Sequence, residues 1–173
     1  MEFDDGLEYV GSSEFVLYGV ADAAIHVFVA LGDQRRVQRL YWIQFEGYLP
    51  TVDRSYDYDA SQGRTEIGGH QYYEDAWVWN LNAVDIRAGS DTEHVLELLR
   101  EHELVLGPEL IGLRLVRLDA ERRKELMIVY LEDLRASRLS ADALSGRDRA
   151  RVVEALRTRA LGGVRIEEQA ASK

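Results

Sequence analysis

The sequence contains no cysteine, and this absence excludes several kinds of chemistry. Without thiols the chain can form no disulfide, use no cysteine nucleophile and hold no metal through thiolates. Lysine is nearly absent too, because it occurs only as Lys124 and Lys173 and arginine carries the remaining positive charge. We interpret this imbalance first as a bacterial-like composition bias of the genome, and only second as a sign of phosphate or carboxylate recognition.

A long apolar run is also missing. No stretch approaches the roughly 20 apolar residues that a membrane-spanning helix needs. The first residues, MEFDDGLEYV, are acidic and lack the basic and apolar regions of a signal peptide. We therefore expect a soluble protein that is located in the cytoplasm.

Acidic residues outnumber basic residues, and the formal net charge is −10 at pH 7. Such a charge disfavours contact with the phosphates of nucleic acids and with the headgroups of anionic membranes. The sequence therefore predicts no nucleic-acid partner and no membrane partner.

The motifs of several common sites are absent as well. There is no glycine-rich nucleotide loop, no GxSxG nucleophile elbow and no HExxH or comparable histidine spacing. Asp53, Asp57 and Asp59 invite a calcium interpretation, but Gln62 stands where an EF-hand loop requires glycine. We therefore predict no metal site and no cofactor.

A chain of 173 residues is long enough to bury roughly two-thirds of its unfolded surface. No repeat, low-complexity block or linker divides it, so residues 1–173 are predicted to form a single domain. Residues 1–13 and 164–173 are expected to be flexible tails.

Alternating apolar residues and turn signals predict that much of the chain forms strands. Short turns join the first three strands, which are expected to form an antiparallel meander. The predicted strands are residues 14–20, 24–31, 36–46, 64–67, 75–84, 110–118 and 124–131.

Two predicted helices complete the pattern. Ser90 and Glu93 have the spacing of a capping box, which predicts a helix over residues 92–103. A second helix is predicted over residues 148–161, just before two glycines. Together these elements predict an α+β protein with a single curved antiparallel sheet of about seven or eight strands, either open or curled into a half-barrel. One internal helix and one C-terminal helix would pack on that sheet.

Aromatic residues are concentrated in one part of the chain. The sequence has four phenylalanines, three tryptophans and nine tyrosines, and ten of these residues lie between Tyr41 and Trp79. Such a concentration can form solid core, or part of it can line a pocket for an apolar or aromatic small molecule. The abundance of tyrosine favours a pocket, because a core built for packing alone uses more Leu, Ile and Phe.

In the pocket interpretation, tyrosine hydroxyls and Asn80 would orient the ligand. Residues 55–59 alternate tyrosine with polar residues, which places Tyr56 and Tyr58 on one side. The candidate ligand-binding residues are Tyr41, Trp42, Tyr56, Tyr58, Tyr72, Trp77, Trp79 and Asn80.

A second candidate site lies between Gly68 and Asp75. Two glycines precede an imidazole, two phenols and two carboxylates. His70 and Glu74 would share one face of an extended strand, where the imidazole could act as a general base that the carboxylate orients. An exposed histidine in a loop is the alternative interpretation.

Three functions remain open. The first is a soluble protein that encloses a small, partly apolar ligand in an aromatic-lined cavity of the curved sheet. The second is an enzyme that uses the same cavity, with His70 and Glu74 as catalytic residues. The third is a homo-oligomeric interaction subunit without a ligand, whose exposed aromatic residues form an interface. The sequence does not decide whether the protein is an enzyme.

Overall fold

Seven strands form one open antiparallel sheet in the computed structural model, which describes residues 2–3, 6–137, 139, 144–145 and 147–165. These seven strands are β2 (Glu8–Leu17), β3 (Ala21–Leu31), β4 (Val37–Tyr48), β5 (Gly63–Ile67), β6 (His70–Asn80), β7 (Glu109–Leu118) and β8 (Lys124–Asp133). Two short strands, β1 (Glu2–Phe3) and β9 (Val164–Arg165), pair with each other in a separate two-stranded sheet. The helices are α1 (Asp91–Glu101), α2 (Leu134–Ser137) and α3 (Arg149–Gly162), and a 3₁₀ turn lies at Asp33–Arg35. The predicted α+β class, with a curved antiparallel sheet, one internal helix and one C-terminal helix, is confirmed.

The sheet is assembled in the order β2–β3–β4–β8–β7–β6–β5. β2, β3 and β4 form the predicted antiparallel meander. The β7–β8 hairpin lies between β4 and β6, so that β8 pairs with β4 and β7 pairs with β6. β4, β7 and β8 contain runs of consecutive buried residues, which means that both of their faces are covered. Burial of apolar side chains on both faces therefore explains the central position of these strands.

A helix covers each face of the sheet, and adjacent residues of a strand point to opposite faces. On one face, which we call the α1 face, Trp42, Val129 and Leu98 belong to one apolar core. On the other face, the α3 face, Tyr41 and Leu156 belong to a second core. The register of each strand therefore decides which core a side chain enters.

α1 begins at the predicted capping box. The Glu93 backbone N–H donates to Ser90 Oγ at 3.2 Å. Leu98 and Leu99 form part of the buried stripe of the helix. The predicted end at residue 103 is wrong by two residues, because Glu103 has a φ of 53°. This left-handed conformation cannot continue a right-handed helix.

Two arginines fix α3 to the sheet. Arg157 donates from Nε and Nη2 to the two carboxylate oxygens of Glu74, at 2.6 and 2.7 Å. Arg159 donates in the same way to Glu132, at 2.5 and 3.0 Å. Both carboxylates are buried, so these bidentate contacts offset the cost of removing them from water.

The described ends of the chain differ from the predicted tails. β2 begins at Glu8, so residues 8–13 pair with β3 instead of forming a tail. β2 is an edge strand with many exposed residues, and it lacks the apolar alternation that reveals a strand in a sequence. At the other end, Val164–Arg165 pairs with Glu2–Phe3. The rest of the predicted C-terminal tail, residues 166–173, lies outside the described residues.

The connection between β4 and β5 passes beside the β7–β8 turn. Residues 55–59 alternate like a strand but form none. Instead, the Tyr56 N–H donates to the Arg122 carbonyl at 2.8 Å, and Arg122 Nε donates back to the Tyr56 carbonyl at 2.9 Å. These two hydrogen bonds hold the connection next to β8 and bring Tyr56 and Tyr58 to the candidate site.

Candidate functional site

A cleft of about 470 Å³ opens on the α1 face. It lies between the first turn of α1 and the half of the sheet that β8, β7 and β6 form. Its lining combines apolar and charged side chains, from Trp42, Gln62, Asp75, Ala76, Trp77, Trp79, Asp91, Thr92, Arg114, Met127 and Val129. All three tryptophans of the chain belong to this set, so we call it the tryptophan cleft.

The register of four neighbouring strands places four lining residues in one row. Trp42 on β4 is paired with Val129 on β8. Val129 is paired with Arg114 on β7, and Arg114 is paired with Asp75 on β6. Directly opposite residues of antiparallel strands project from the same face. The row therefore carries an indole at one end and an ion pair at the other.

Trp77 lies across β7, because its cross-strand partner is Gly112. A Cβ atom at Gly112 would lie 2.8 Å from Trp77 Cζ2 and 2.9 Å from Trp77 Cε2. It would also lie 2.8 Å from Leu131 Cδ2. Only glycine allows the indole to approach the strand this closely. Gly112 therefore sets the position of one wall of the cleft.

A chain of hydrogen bonds runs along β4 from the cleft to a carboxylate. Trp42 Nε1–H donates to Gln44 Oε1 at 2.9 Å, and Gln44 Nε2–H donates to Glu46 Oε2 at 2.6 Å. The other oxygen of Glu46 accepts from the Tyr56 hydroxyl at 2.7 Å. Burial raises the pKa of Glu46, although these hydrogen bonds favour its ionised form. The indole N–H of Trp42 is thereby satisfied within the protein.

A second carboxylate, that of Glu125 on β8, is the direct cross-strand partner of Glu46. Its side chain is buried and accepts from the Tyr58 hydroxyl at 2.9 Å. Burial, followed by the charge of Glu46, raises the pKa of Glu125 to about 7. Glu125 lies two positions before the cleft residue Met127 on the same face. Two acidic side chains therefore adjoin the tryptophan cleft.

Arg114 supplies a guanidinium to the lining. Its Nη2 donates to Asp75 Oδ2 at 2.8 Å, and Asp75 Oδ1 accepts from the Gln62 backbone N–H at 2.9 Å. Burial opposes the ionisation of Asp75, but the hydrogen bonds from Arg114 and Gln62 outweigh it and lower the pKa of Asp75. Arg114 also lies over the ring of Tyr58, 5.3 Å from the ring centroid. The positive charge of Arg114 is therefore matched inside the site.

Asp91 brings another carboxylate to the cleft, from the first turn of α1. Its Oδ1 accepts from the Thr92 backbone N–H at 2.7 Å. Burial raises the pKa of Asp91 against the opposing effects of Thr92 and Arg114. Burial therefore disfavours the ionised form of Asp91 more than its neighbours favour it.

Five of the eight predicted ligand-binding residues lie at or beside the cleft. Trp42, Trp77 and Trp79 line it directly. Tyr56 and Tyr58 lie next to it, where their hydroxyls donate to the paired carboxylates of β4 and β8. The tyrosines thus orient protein carboxylates and are not part of the lining itself.

Tyr41, Tyr72 and Asn80 belong to the opposite face. The Tyr41 hydroxyl donates to the Ala160 carbonyl of α3 at 2.8 Å, and Tyr72 is buried in the core of the α3 face. Asn80 is exposed at the end of β6. Consecutive residues such as Tyr41 and Trp42 enter different cores because side chains alternate along a strand. Aromatic residues that are crowded in the sequence are therefore divided between two faces.

His70 and Glu74 both lie on the α3 face of β6 by the same alternation. Four residues of extended strand place their Cα atoms about 13 Å apart. Both carboxylate oxygens of Glu74 accept hydrogen bonds from Arg157. The structure therefore does not bring these two candidate catalytic residues together, and it commits the carboxylate to the attachment of α3.

Several polar residues of the site are missing from the sequence prediction, namely Gln44, Glu46, Asp91, Arg114 and Glu125. One signal for part of this set is present in the sequence: polar residues alternate at the end of β4, directly after a run of apolar and aromatic residues that includes Trp42. The other positions depend on which strands pair across the sheet. That pairing is non-local, so no local pattern predicts it.

No protein-family model matches the chain, and no curated protein sequence or solved structure matches it significantly. Within the described residues, no group of three or more histidine, aspartate or glutamate side chains could hold a metal ion. None of the helices in the described part is both long enough and apolar enough to cross a membrane. The geometry of the tryptophan cleft is therefore the basis for the functional proposal.

Proposed function

We propose that the protein binds a small, partly apolar molecule in the tryptophan cleft. The main support for this proposal is the position of the tryptophans, because all three line one cleft of about 470 Å³. They come from β4 and β6, two strands that β8 and β7 separate in the sheet. Ligand pockets typically have volumes of about 300–1,000 Å³, apolar walls and a few polar groups.

The exposure of the cleft residues supports binding over simple packing. Trp77 and Trp79 are only partly buried, whereas Val27 and Leu131 in the same apolar core are 0% and 2% exposed. Protein cores are close-packed and contain few voids larger than a water molecule. Large, partly exposed apolar side chains around a concave surface are typical of a binding site.

The polar groups of the cleft would orient a bound molecule. The Arg114–Asp75 ion pair lies at the β7–β6 side, and Asp91 and Thr92 lie at the α1 side. The apolar walls lie between these groups, in the arrangement expected for a ligand with an apolar body and a polar substituent.

Tryptophan emission reports on this proposal directly, because every tryptophan of the chain lines the cleft. We expect a compound that binds there to change the emission in a saturable manner and to raise the melting temperature. A screen of small aromatic and aliphatic compounds of neutral, positive and negative charge would find such ligands.

Thr92→Phe and Thr158→Phe form a matched pair of variants for this screen. Thr92 lines the cleft, whereas Thr158 is exposed on α3 at the opposite face. We expect Thr92→Phe to fill the cleft and to weaken binding at least about tenfold, and Thr158→Phe to bind like the wild type. If no compound gives a saturable change, or if both variants bind equally well, the proposal fails.

The two alternative functions predict different results in the same measurements. For an oligomeric interaction subunit, light scattering would show an oligomer that Trp42→Ala dissociates, and no small molecule would change the emission. For an enzyme that uses His70 and Glu74, turnover of a compound would be abolished in His70→Ala without unfolding.

A further inference from the structure

We propose that the tryptophan cleft selects an organic cation, a molecule that carries a protonated or quaternary amine on an apolar body. This inference rests on the proposed function and adds the chemical class of the ligand. It depends on the charge around the cleft, on the hydrogen bonds that its lining residues already make, and on its aromatic walls.

Negative charge exceeds positive charge around the cleft. Asp75 and Asp91 belong to the lining, and Arg114 is the one basic residue among the described lining residues. Arg114 is paired with Asp75 at 2.8 Å, which leaves the charge of Asp91 in excess. Glu46 and Glu125 lie beside the cleft as cross-strand partners, and they add more negative charge than Arg149, which donates to the lining residue Gln62, adds positive charge. A positively charged ligand would therefore be attracted, and a negatively charged ligand would be repelled.

Two donor groups of the lining are engaged within the protein, although Arg114 Nε is buried without a hydrogen-bond partner. The Trp42 indole N–H donates to the Gln44 side chain at 2.9 Å. The Thr92 backbone N–H donates to Asp91 Oδ1 at 2.7 Å. The N-terminus of a helix commonly attracts anions, but the first turn of α1 brings its own carboxylate to the cleft. An anion that approaches the first turn of α1 would therefore meet the Asp91 carboxylate.

The aromatic walls match a cation for a second reason. The face of an indole ring carries partial negative charge, and tryptophan is the most effective aromatic partner of a cation. Gly112 allows the ring of Trp77 to lie across β7, and the N–H of Trp42 is satisfied within the protein. The cleft thus offers ring surface together with nearby carboxylates, a combination that suits an amine on an apolar body.

The protonation of the carboxylates agrees with this arrangement. Burial raises the pKa values of Glu46 and Asp91, and burial together with the charge of Glu46 raises the pKa of Glu125 to about 7. A raised carboxyl pKa means that burial disfavours the ionised form. A cation bound beside these carboxyls would favour their ionised form.

Three probes of similar size test the inference: benzyltrimethylammonium as the cation, neopentylbenzene as the neutral analogue and phenylmethanesulfonate as the anion. Each is titrated into the intact protein at low ionic strength and about pH 8, where the carboxylates are ionised, with tryptophan emission as the readout. We expect the cation to bind at least about tenfold more tightly than the other two probes.

Asp91→Asn and Asp22→Asn form the matched variants, because Asp91 lines the cleft and Asp22 is exposed on β3. Asp91→Asn should weaken binding of the cation about tenfold and leave binding of the neutral probe unchanged. Asp22→Asn should bind all probes like the wild type. If Asp91→Asn does not fold, salt titration of the wild type replaces it, since salt must weaken binding of the cation more than binding of the neutral probe.

The outcomes separate the two proposals. Equal or tighter binding of the neutral or anionic probe would overturn the cation inference and leave the proposed function in place. Absence of binding by all three probes would also overturn the inference. The proposed function would be overturned only if the broad compound screen also found no compound that binds.

Discussion

Glu46 and Glu125 face each other as direct cross-strand partners on β4 and β8. Each accepts a tyrosine hydroxyl, from Tyr56 at 2.7 Å and from Tyr58 at 2.9 Å. Like charges directly opposite each other destabilise a sheet, so the pair disfavours ionisation of both carboxyls. Burial and the charge of Glu46 accordingly raise the pKa of Glu125 to about 7, from an ordinary value of 4.5. The other groups that act on this carboxyl are Tyr58, Arg114 and Asp91.

We predict that Glu125→Gln raises the free energy of unfolding by roughly 2 kcal/mol at about pH 8 and leaves it unchanged near pH 4. The pKa of Glu125 is higher in the folded state than in the unfolded state, so protonation of this carboxyl stabilises the fold. This stabilisation is complete at pH values below the pKa of the unfolded state. That stabilisation is lost as the pH rises through about 7. Glutamine mimics the protonated side chain at every pH, so it retains the stabilisation.

Urea unfolding of the wild type, Glu125→Gln and Glu66→Gln at both pH values checks this prediction. Glu66 is an exposed carboxylate on β5, and its variant should follow the wild type. A difference between the wild type and Glu125→Gln that is the same at both pH values would contradict the raised pKa of Glu125.

The contact of Trp77 with Gly112 leads to a second prediction. Gly112→Ala would place a Cβ atom 2.8 Å from Trp77 Cζ2, so the indole must move. We expect a loss of about 1–3 kcal/mol in the free energy of unfolding, a shifted tryptophan emission and weaker binding in the cleft. Gly6→Ala is the control, because nothing lies within 4 Å of its added methyl group. Unchanged emission of Gly112→Ala would show that Trp77 does not lie across β7.

The attachment of α3 gives a third prediction. Arg157→Ala leaves the buried carboxylate of Glu74 without its bidentate partner, and we expect a loss of about 2–4 kcal/mol in the free energy of unfolding. Arg151→Ala is the control, since that side chain is 79% exposed. Chemical denaturation measures both variants. Binding in the cleft should be unchanged in folded Arg157→Ala, because α3 covers the other face. A loss of stability no greater than that of Arg151→Ala would contradict this role of Glu74.

Tyr41 and Trp42 are consecutive residues on opposite faces, and this gives a fourth prediction. Tyr41→Phe removes the hydrogen bond to the Ala160 carbonyl and should cost about 1 kcal/mol of stability without changing ligand binding. Trp42→Phe should weaken ligand binding, because Trp42 lines the cleft. Unfolding and emission titrations of both variants measure these effects. Weaker binding in Tyr41→Phe would mean that the two faces are not independent.

The local features of the fold could be predicted from the sequence. The capping box at Ser90 and Glu93 predicts the start of α1, and the short turns predict the meander of β2, β3 and β4. These signals depend on residues close together in the chain. The sequence predicts only the second half of the polar edge strand β2, because few of its side chains are buried.

The insertion of the β7–β8 hairpin between β4 and β6 could not be predicted in the same way. It brings Arg114 beside Asp75 and Glu125 beside Glu46, and these pairs give the site its charge. Strand pairing over such sequence separations is decided by burial across the whole sheet, which no local pattern contains. The sequence therefore points to Trp42, Trp77 and Trp79 as candidates but not to the carboxylates beside them.

The indole N–H resonances of the three tryptophans test the central claim most directly. We predict that a compound that raises the melting temperature shifts all three signals in a nitrogen–proton correlation spectrum, with one common dissociation constant. Backbone signals of Leu156 in the core of the α3 face should stay in place. Binding that leaves the three indole signals unmoved would show that the ligand site lies outside the tryptophan cleft.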